Sequence, residues 1–162
     1  MAVLEQLKHT SEDRFLSLYE ALETQGFGPL DHEVAKALKF RPQKIRTLPM
    51  AQRARQARRL IGGPKGADLC YEFFGTYLVK TKKDLVTGFL DATGVPHEDG
   101  MIADPETSPP DPEKIPAAIE SLDKEFDPAD VTLYLSLCVE MWPESKPLQE
   151  LWRARLAAGT LD

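Results

Sequence analysis

The chain has 162 residues, of which 42% are apolar and 28% charged, with a formal net charge of -6. That balance is too apolar for a disordered chain, and the length is too short for two large domains; it predicts one folded domain, or a small domain with an appended helical element. No run of about 18 apolar residues occurs, which excludes an apolar membrane-spanning helix, and the opening MAVLEQLKHTSEDR carries acids without a sustained apolar stretch, which predicts no secretory signal and a cytoplasmic location.

Ser11, followed by Glu12 and Asp13, reads as a helix N-cap with acids in the first turn. Phe15, Leu18, Tyr19 and Leu22 then recur at helical spacing as far as Gly26. Before it, Val3, Leu4 and Leu7 share one side of a short leading helix. Gly26, Gly28 and Pro29 form a loop, and Asp31 is placed to cap a second helix carrying Val34, Ala35 and Leu38. Pro42 ends that helix and suits the first turn of the next. Pro49 opens a further one, in which Ala51 to Ile61 includes Arg53, Arg55, Arg58 and Arg59.

The run Gly62-Gly63-Pro64-Lys65-Gly66 breaks the helix. Leu69, Phe73, Phe74, Tyr77 and Leu78 then make a broad apolar face, and Leu85, Val86, Phe89 and Leu90 make another. Residues 95–112, VPHEDGMIADPETSPPDP, contain five prolines and read as an exposed linker or loop. Asp111-Pro112 and Asp127-Pro128 repeat one device, an Asp N-cap with proline at the first helical position. The first of these helices presents Ile115, Ala118, Ile119, Leu122 and Phe126; the second, from Val131 to Trp142, is apolar nearly all round and predicts a buried central helix. Ser145 caps a last helix carrying Leu148, Leu151, Trp152 and Leu156. No segment alternates with period two, so no substantial sheet is expected.

The expected fold is therefore all-α, a bundle of roughly seven or eight helices. Residues 1–94 form a basic helical region, 95–112 a Pro/acid-rich linker or loop, and 113–162 an acidic three-helix region; one continuous domain is the alternative. Cys70 and Cys138 lie within apolar helical patterns without a CxxC spacing, as reduced, buried, structural residues do.

Charge is unevenly distributed. Residues 1–33 carry 2 Lys/Arg and 7 Asp/Glu, residues 34–83 carry 13 and 2, and residues 84–162 carry 5 and 17. Between Glu33 and Asp68 there is no acid, while Lys36, Lys39, Arg41, Lys44, Arg46, Arg53, Arg55, Arg58, Arg59 and Lys65 supply ten positive charges. Such asymmetry points to a polyanionic partner.

Within this stretch, Glu33 to Leu48 is similar in pattern to a helix-turn-helix. Ala35 is the small residue at the crossing, and Val34, Leu38, Phe40, Ile45 and Leu48 take inward positions. On that register Gln43, Lys44, Arg46 and Thr47 point outward, as residues that reach base edges and phosphates do. Lys39 stands where glycine commonly supplies a left-handed backbone, and Pro49 limits the second helix to barely two turns. The same spacing arises when one short helix simply packs against another.

Other local patterns are weaker. The glycine-rich Gly62 to Gly66 lacks the spacing of a phosphate loop. His97-Glu98-Asp99 has no third ligand group at metal spacing, since neither His9 nor His32 joins it, and Glu72 is the lone acid of an aromatic-rich helix. No catalytic motif or cofactor fingerprint is present, so no enzyme activity, cofactor or metal is expected. The expected function is non-enzymatic nucleic-acid association through residues 34–65. Gln43, Lys44, Arg46 and Thr47 would read bases, and Lys39, Arg41, Arg53, Arg55, Arg58 and Arg59 would hold phosphates. The alternative is a protein-interaction or assembly module whose basic segment pairs with acidic surface of a partner or of a second copy. No membrane partner is expected.

Overall fold

A computed structural model describes residues 1–24, 29–39 and 41–159. Among them are ten helices and no strand, an all-α fold: α1 (Ala2–Lys8), α2 (Glu12–Thr24), α3 (Pro29–Ala37), α4 (Pro42–Ile45), α5 (Met50–Ile61), α6 (Ala67–Thr81), α7 (Lys83–Ala92), α8 (Ile115–Glu125), α9 (Pro128–Met141) and α10 (Lys146–Ala157). The count exceeds the roughly seven or eight expected from periodicity, because α1 and the four-residue α4 stand as separate elements. The expected loop at Gly26 and Gly28, and the inward position of Phe40, lie outside the described residues.

Local chemistry sets some helix boundaries. Ser11 Oγ accepts the N–H of Arg14 at 3.1 Å and caps α2. Asp127 Oδ1 accepts the N–H of Ala129 at 2.9 Å, with Pro128 in the first turn of α9. The other Asp-Pro pair acts differently: Asp111 Oδ1 accepts the N–H of Glu113 at 3.0 Å within a turn, and α8 begins later, at Ile115. Asp31 is not a cap either. α3 starts at Pro29, and the Asp31 carboxylate is buried in its first turn, where it accepts from the Tyr19 hydroxyl. Ser145 stands at the N-cap of α10 without a side-chain bond. At Gly66 a Cβ would lie 2.3 Å from the carbonyl oxygen of Ile61, so glycine alone fits the approach to α6.

The chain divides into two compact units, residues 3–77 and 78–162, with the division inside α6. In the first, α2 packs on α5, and α3 packs on both α4 and α5. Phe15 of α2 stacks on Phe73 of α6 with ring centroids 5.1 Å apart, and Phe74 lies beside Phe73 at 5.8 Å. Leu18, Leu22, Ile45 and Ile61 complete this core. The sequence spacing of α2 predicts its inward face correctly, since Phe15, Leu18, Tyr19 and Leu22 are all buried.

In the second unit, α9 is buried continuously from Ala129 to Val139, as an all-round apolar helix must be. α8 and α10 pack against it, and α7 packs on α8. The rings of Phe89 and Tyr134 meet edge to face with centroids 5.4 Å apart. Residues 95–112 lie within this unit and are fastened to it. Glu98 and Met101 exchange backbone bonds of 2.8 and 2.9 Å around Asp99 and Gly100, whose φ values of 53° and 86° make the tight turn that an Asp-Gly pair favours. Farther along, the Trp142 indole donates to the Thr107 carbonyl at 3.1 Å, the N–H of Asp111 donates to the Thr93 carbonyl at 3.2 Å, and Val95 and Pro110 are buried. His97 joins the same fastening: its Nδ1 accepts from the Gly100 N–H at 3.0 Å, which leaves Nε2 to donate to Asp91 at 2.6 Å.

Candidate nucleic-acid interface

The acid-free basic stretch occupies the end of α3, the connection to α4, α4 itself, and α5. Val34, Ala35 and Ile45 are buried and Leu38 and Leu48 are half-buried, so three of the described inward positions of the helix-turn-helix register face the core of the first unit and two lie at its edge. Lys39 has φ 58°, the left-handed conformation at the turn position where that register requires it. Its departure from a helix-turn-helix is length. α4 has only four residues, about 6 Å along its axis, before Arg46 caps it and the chain turns toward Pro49. A recognition helix lying in a major groove needs more than one turn.

Lys39, Arg41, Gln43, Lys44, Arg46 and Thr47 are all exposed. The Thr47 hydroxyl donates to the Lys44 carbonyl at 2.6 Å and so closes its own turn. On α5 the four arginines separate by face. Arg55 and Arg59 are exposed, whereas Arg53 is buried and its Nη1 donates to Glu23 Oε1 of α2 at 2.9 Å. Arg58 is half-buried; its Nη2 donates to the Leu7 carbonyl at 3.2 Å, and its guanidinium lies 6.0 Å from the centre of the Phe15 ring. The Nε of Arg53 and the Nη1 of Arg58 are buried without a hydrogen-bond partner. Arg53 therefore stands apart from the exposed cations, with its charge committed to the interior.

Two further exposed cations, Lys36 and Lys65, extend the surface. Within the first unit, no described ion pair engages Lys36, Lys39, Arg41, Arg46, Arg55, Arg59 or Lys65. Two large clefts flank α5, besides a small one of about 110 Å³ between α2 and α5. One, of about 630 Å³, lies between α1 and α5 and includes Leu7, Lys8, Glu12, Arg55, Arg58 and Arg59. The other, of about 650 Å³, is lined by apolar side chains at α3 and its C-terminal end, α5 and α6, among them Val34, Leu38, Leu60 and Leu69, together with Glu33, Arg59 and Lys65. Gln56 and Arg59 line both. Lys8 was not a candidate from sequence because nothing local links it to arginines about fifty residues later.

Beneath this surface, Tyr19, Glu23, Asp31 and Arg53 form a polar cluster joining α2, α3 and α5. Burial, and next the hydrogen bond and charge of Asp31, hold the Glu23 carboxyl above its ordinary value of 4.5, opposed by Arg53. Burial, reinforced by Asp31, raises the Tyr19 phenol as well. Because Glu23 keeps its proton in the folded state at pH values where the unfolded chain has released it, stability should fall as pH rises from about 4.5 through the raised value. Glu23→Gln is expected to flatten that dependence in urea unfolding midpoints measured across the window; an unchanged slope would exclude Glu23 as its source.

Glu72 is exposed, and among the described residues no three His, Cys, Asp or Glu side chains converge as a metal site. Cys70 and Cys138 are buried thiols outside any disulfide, and burial pushes the Cys138 thiol up to about 12, far from a reactive thiolate. No described helix is long and apolar enough to cross a membrane. Comparison with known protein families, with curated proteins and with solved structures yields no match.

Proposed function

We propose that this protein is a non-enzymatic nucleic-acid-associated protein that grips the phosphate backbone through Lys39, Arg41, Lys44, Arg46, Arg55 and Arg59. The observation that carries this reading is an acid-free run from Val34 to Ala67 whose exposed cations lie on α3, α4, α5 and their connections. Gln43 and Thr47 add polar contacts beside them. With α4 one turn long, the contacts are to phosphates and the binding is indifferent to base sequence. Arg53 takes no part, and Arg58 is tethered to Leu7 at one edge of the surface. The acids of residues 84–162 limit non-specific adhesion, and the setting is cytoplasmic.

The test is fluorescence anisotropy with labelled duplex DNA, single-stranded DNA and RNA at low and near-physiological salt. Wild type is compared with an Arg41, Arg46, Arg55 and Arg59 to Ala variant. Saturable binding is expected, with an affinity that falls with salt by a logarithmic slope of about 0.9 per phosphate contacted on duplex DNA. The variant should lose roughly three to four phosphate contacts from that slope. Absence of binding at low salt would sink the proposal.

A second reading is supported by the apolar-lined cleft bearing Arg59 and Lys65, which suits an apolar residue flanked by acids on a protein partner or a second copy. Self-association that grows with concentration in the absence of nucleic acid would favour it.

A further inference from the structure

Four cations from two helices far apart in sequence meet at the cleft between α1 and α5. Lys8 ends α1, while Arg55, Arg58 and Arg59 share one face of α5 at offsets of three and four residues. Glu12 is the single acid lining the cleft, which leaves it a net of three positive charges. Among the described residues Glu12 forms no ion pair with any of the four.

Arg58 distinguishes this cleft from an ordinary basic patch. Its guanidinium is held in place before any ligand arrives, by the Leu7 carbonyl at 3.2 Å and by the Phe15 ring at 6.0 Å. A guanidinium held in this way keeps its positive charge at the cleft it lines, and a preorganised guanidinium suits the oxygens of a phosphoryl group. Arg55, Arg59 and Lys8 are exposed and free to close on an anion. Leu4 and Leu7 add apolar surface to a cleft of about 630 Å³, a volume within the range of small-molecule sites.

We infer that this cleft binds a small oligophosphate, a chain of two or three phosphoryl groups carried by an organic moiety, with Arg58 as its fixed anchor. A single phosphate monoester brings about two negative charges and leaves the cleft positive, and because each further phosphoryl group adds about one, a diphosphate balances the cleft and a triphosphate exceeds it by about one. The organic moiety lies against Leu4 and Leu7. This site goes beyond the nucleic-acid reading and stands on different residues, although Arg55 and Arg59 contribute to both.

Calorimetric titration of the full chain with sodium tripolyphosphate, sodium orthophosphate and duplex DNA, at near-physiological salt, tests the assignment. Tripolyphosphate should bind one to one, with orthophosphate at least about 10-fold weaker. Lys8→Gln, an exposed change that leaves folding alone, should weaken tripolyphosphate by about 10-fold, as should Arg58→Gln wherever circular dichroism shows it folded. Glu12→Gln should tighten it, and an Arg41→Ala/Arg46→Ala variant should leave it unchanged while weakening duplex DNA. Absence of saturable tripolyphosphate binding overturns the inference. So does binding that survives Lys8→Gln but disappears in the Arg41→Ala/Arg46→Ala variant, because the anion would then be held by the open surface.

Discussion

Arg53→Ala should destabilise the protein by about 3 kcal/mol, whereas Arg55→Ala and Arg59→Ala should each change stability by less than about 0.5 kcal/mol. The difference follows from position on one helix. Arg53 and Glu23 are 10% and 21% exposed, and the pair between them spans 2.9 Å. Removing the guanidinium leaves Glu23 inside with Asp31 and without its cation, which is the expensive way to break a buried pair. Glu23 can escape part of that cost by taking up a proton, so the loss should grow as pH rises. Urea unfolding at two pH values, on either side of the raised Glu23 value, checks both statements. Arg55 and Arg59 are exposed and sacrifice no interior contact. On the function proposed above, their replacement should instead weaken nucleic-acid binding, while folded Arg53→Ala should bind as wild type does. If Arg53→Ala were as stable as Arg55→Ala, the Glu23 pair would be no better than a surface contact.

Arg155→Ala is expected to cost a further kind of stability, about 3 kcal/mol, in the second unit. This guanidinium makes two parallel bonds of 2.8 Å to the Asp123 carboxylate of α8, while its Nε donates to Thr132 Oγ1 of α9 at 2.8 Å and its Nη2 to the Pro128 carbonyl at 3.0 Å. One side chain of α10 thus ties three helices together. Planarity is essential to that arrangement, since a lysine ammonium cannot present two parallel donors to a carboxylate and a third to a hydroxyl. Arg155→Lys should therefore recover less than half of the loss, about 1 kcal/mol. Thermal unfolding of wild type, Arg155→Lys and Arg155→Ala gives the comparison, and full recovery by lysine would show that charge alone matters there.

Helix content was legible because it is written in short-range periodicity. The apolar faces of α2 and α9 follow from spacing, and the starts of α2 and α9 follow from Ser11 and Asp127, whose partners lie within three residues. Asp111 and Asp31 show where that reasoning stops. Both have the residue type of a cap, yet Asp111 closes a turn, and Asp31 is claimed by the Tyr19 hydroxyl across 12 positions of sequence. A tertiary partner at that separation leaves no mark in a local window. Residues 95–112 make the same point: their prolines and acids describe an exposed segment, but the bonds to Trp142 and Thr93 that fasten it come from helices on either side. The Asp99-Gly100 dipeptide is itself a local turn signal, although the segment as a whole reads only as a linker or loop.

The basic stretch divides along the same line. Composition established that residues 34–65 are cationic, and the register placed a left-handed residue at Lys39. Neither could sort the arginines by role. Charge is a property of a residue, readable one position at a time, whereas the availability of charge depends on what has packed beside it. Arg53 and Arg55 are two residues apart, and the turn of the helix sends one to Glu23 and the other to solvent. Lys8 joins Arg58 at one cleft only because folding brings α1 against α5. Helices, cysteine burial and net charge thus follow from local chemistry in the chain, while which of the cations stay exposed is decided by long-range packing, which no short stretch of sequence encodes.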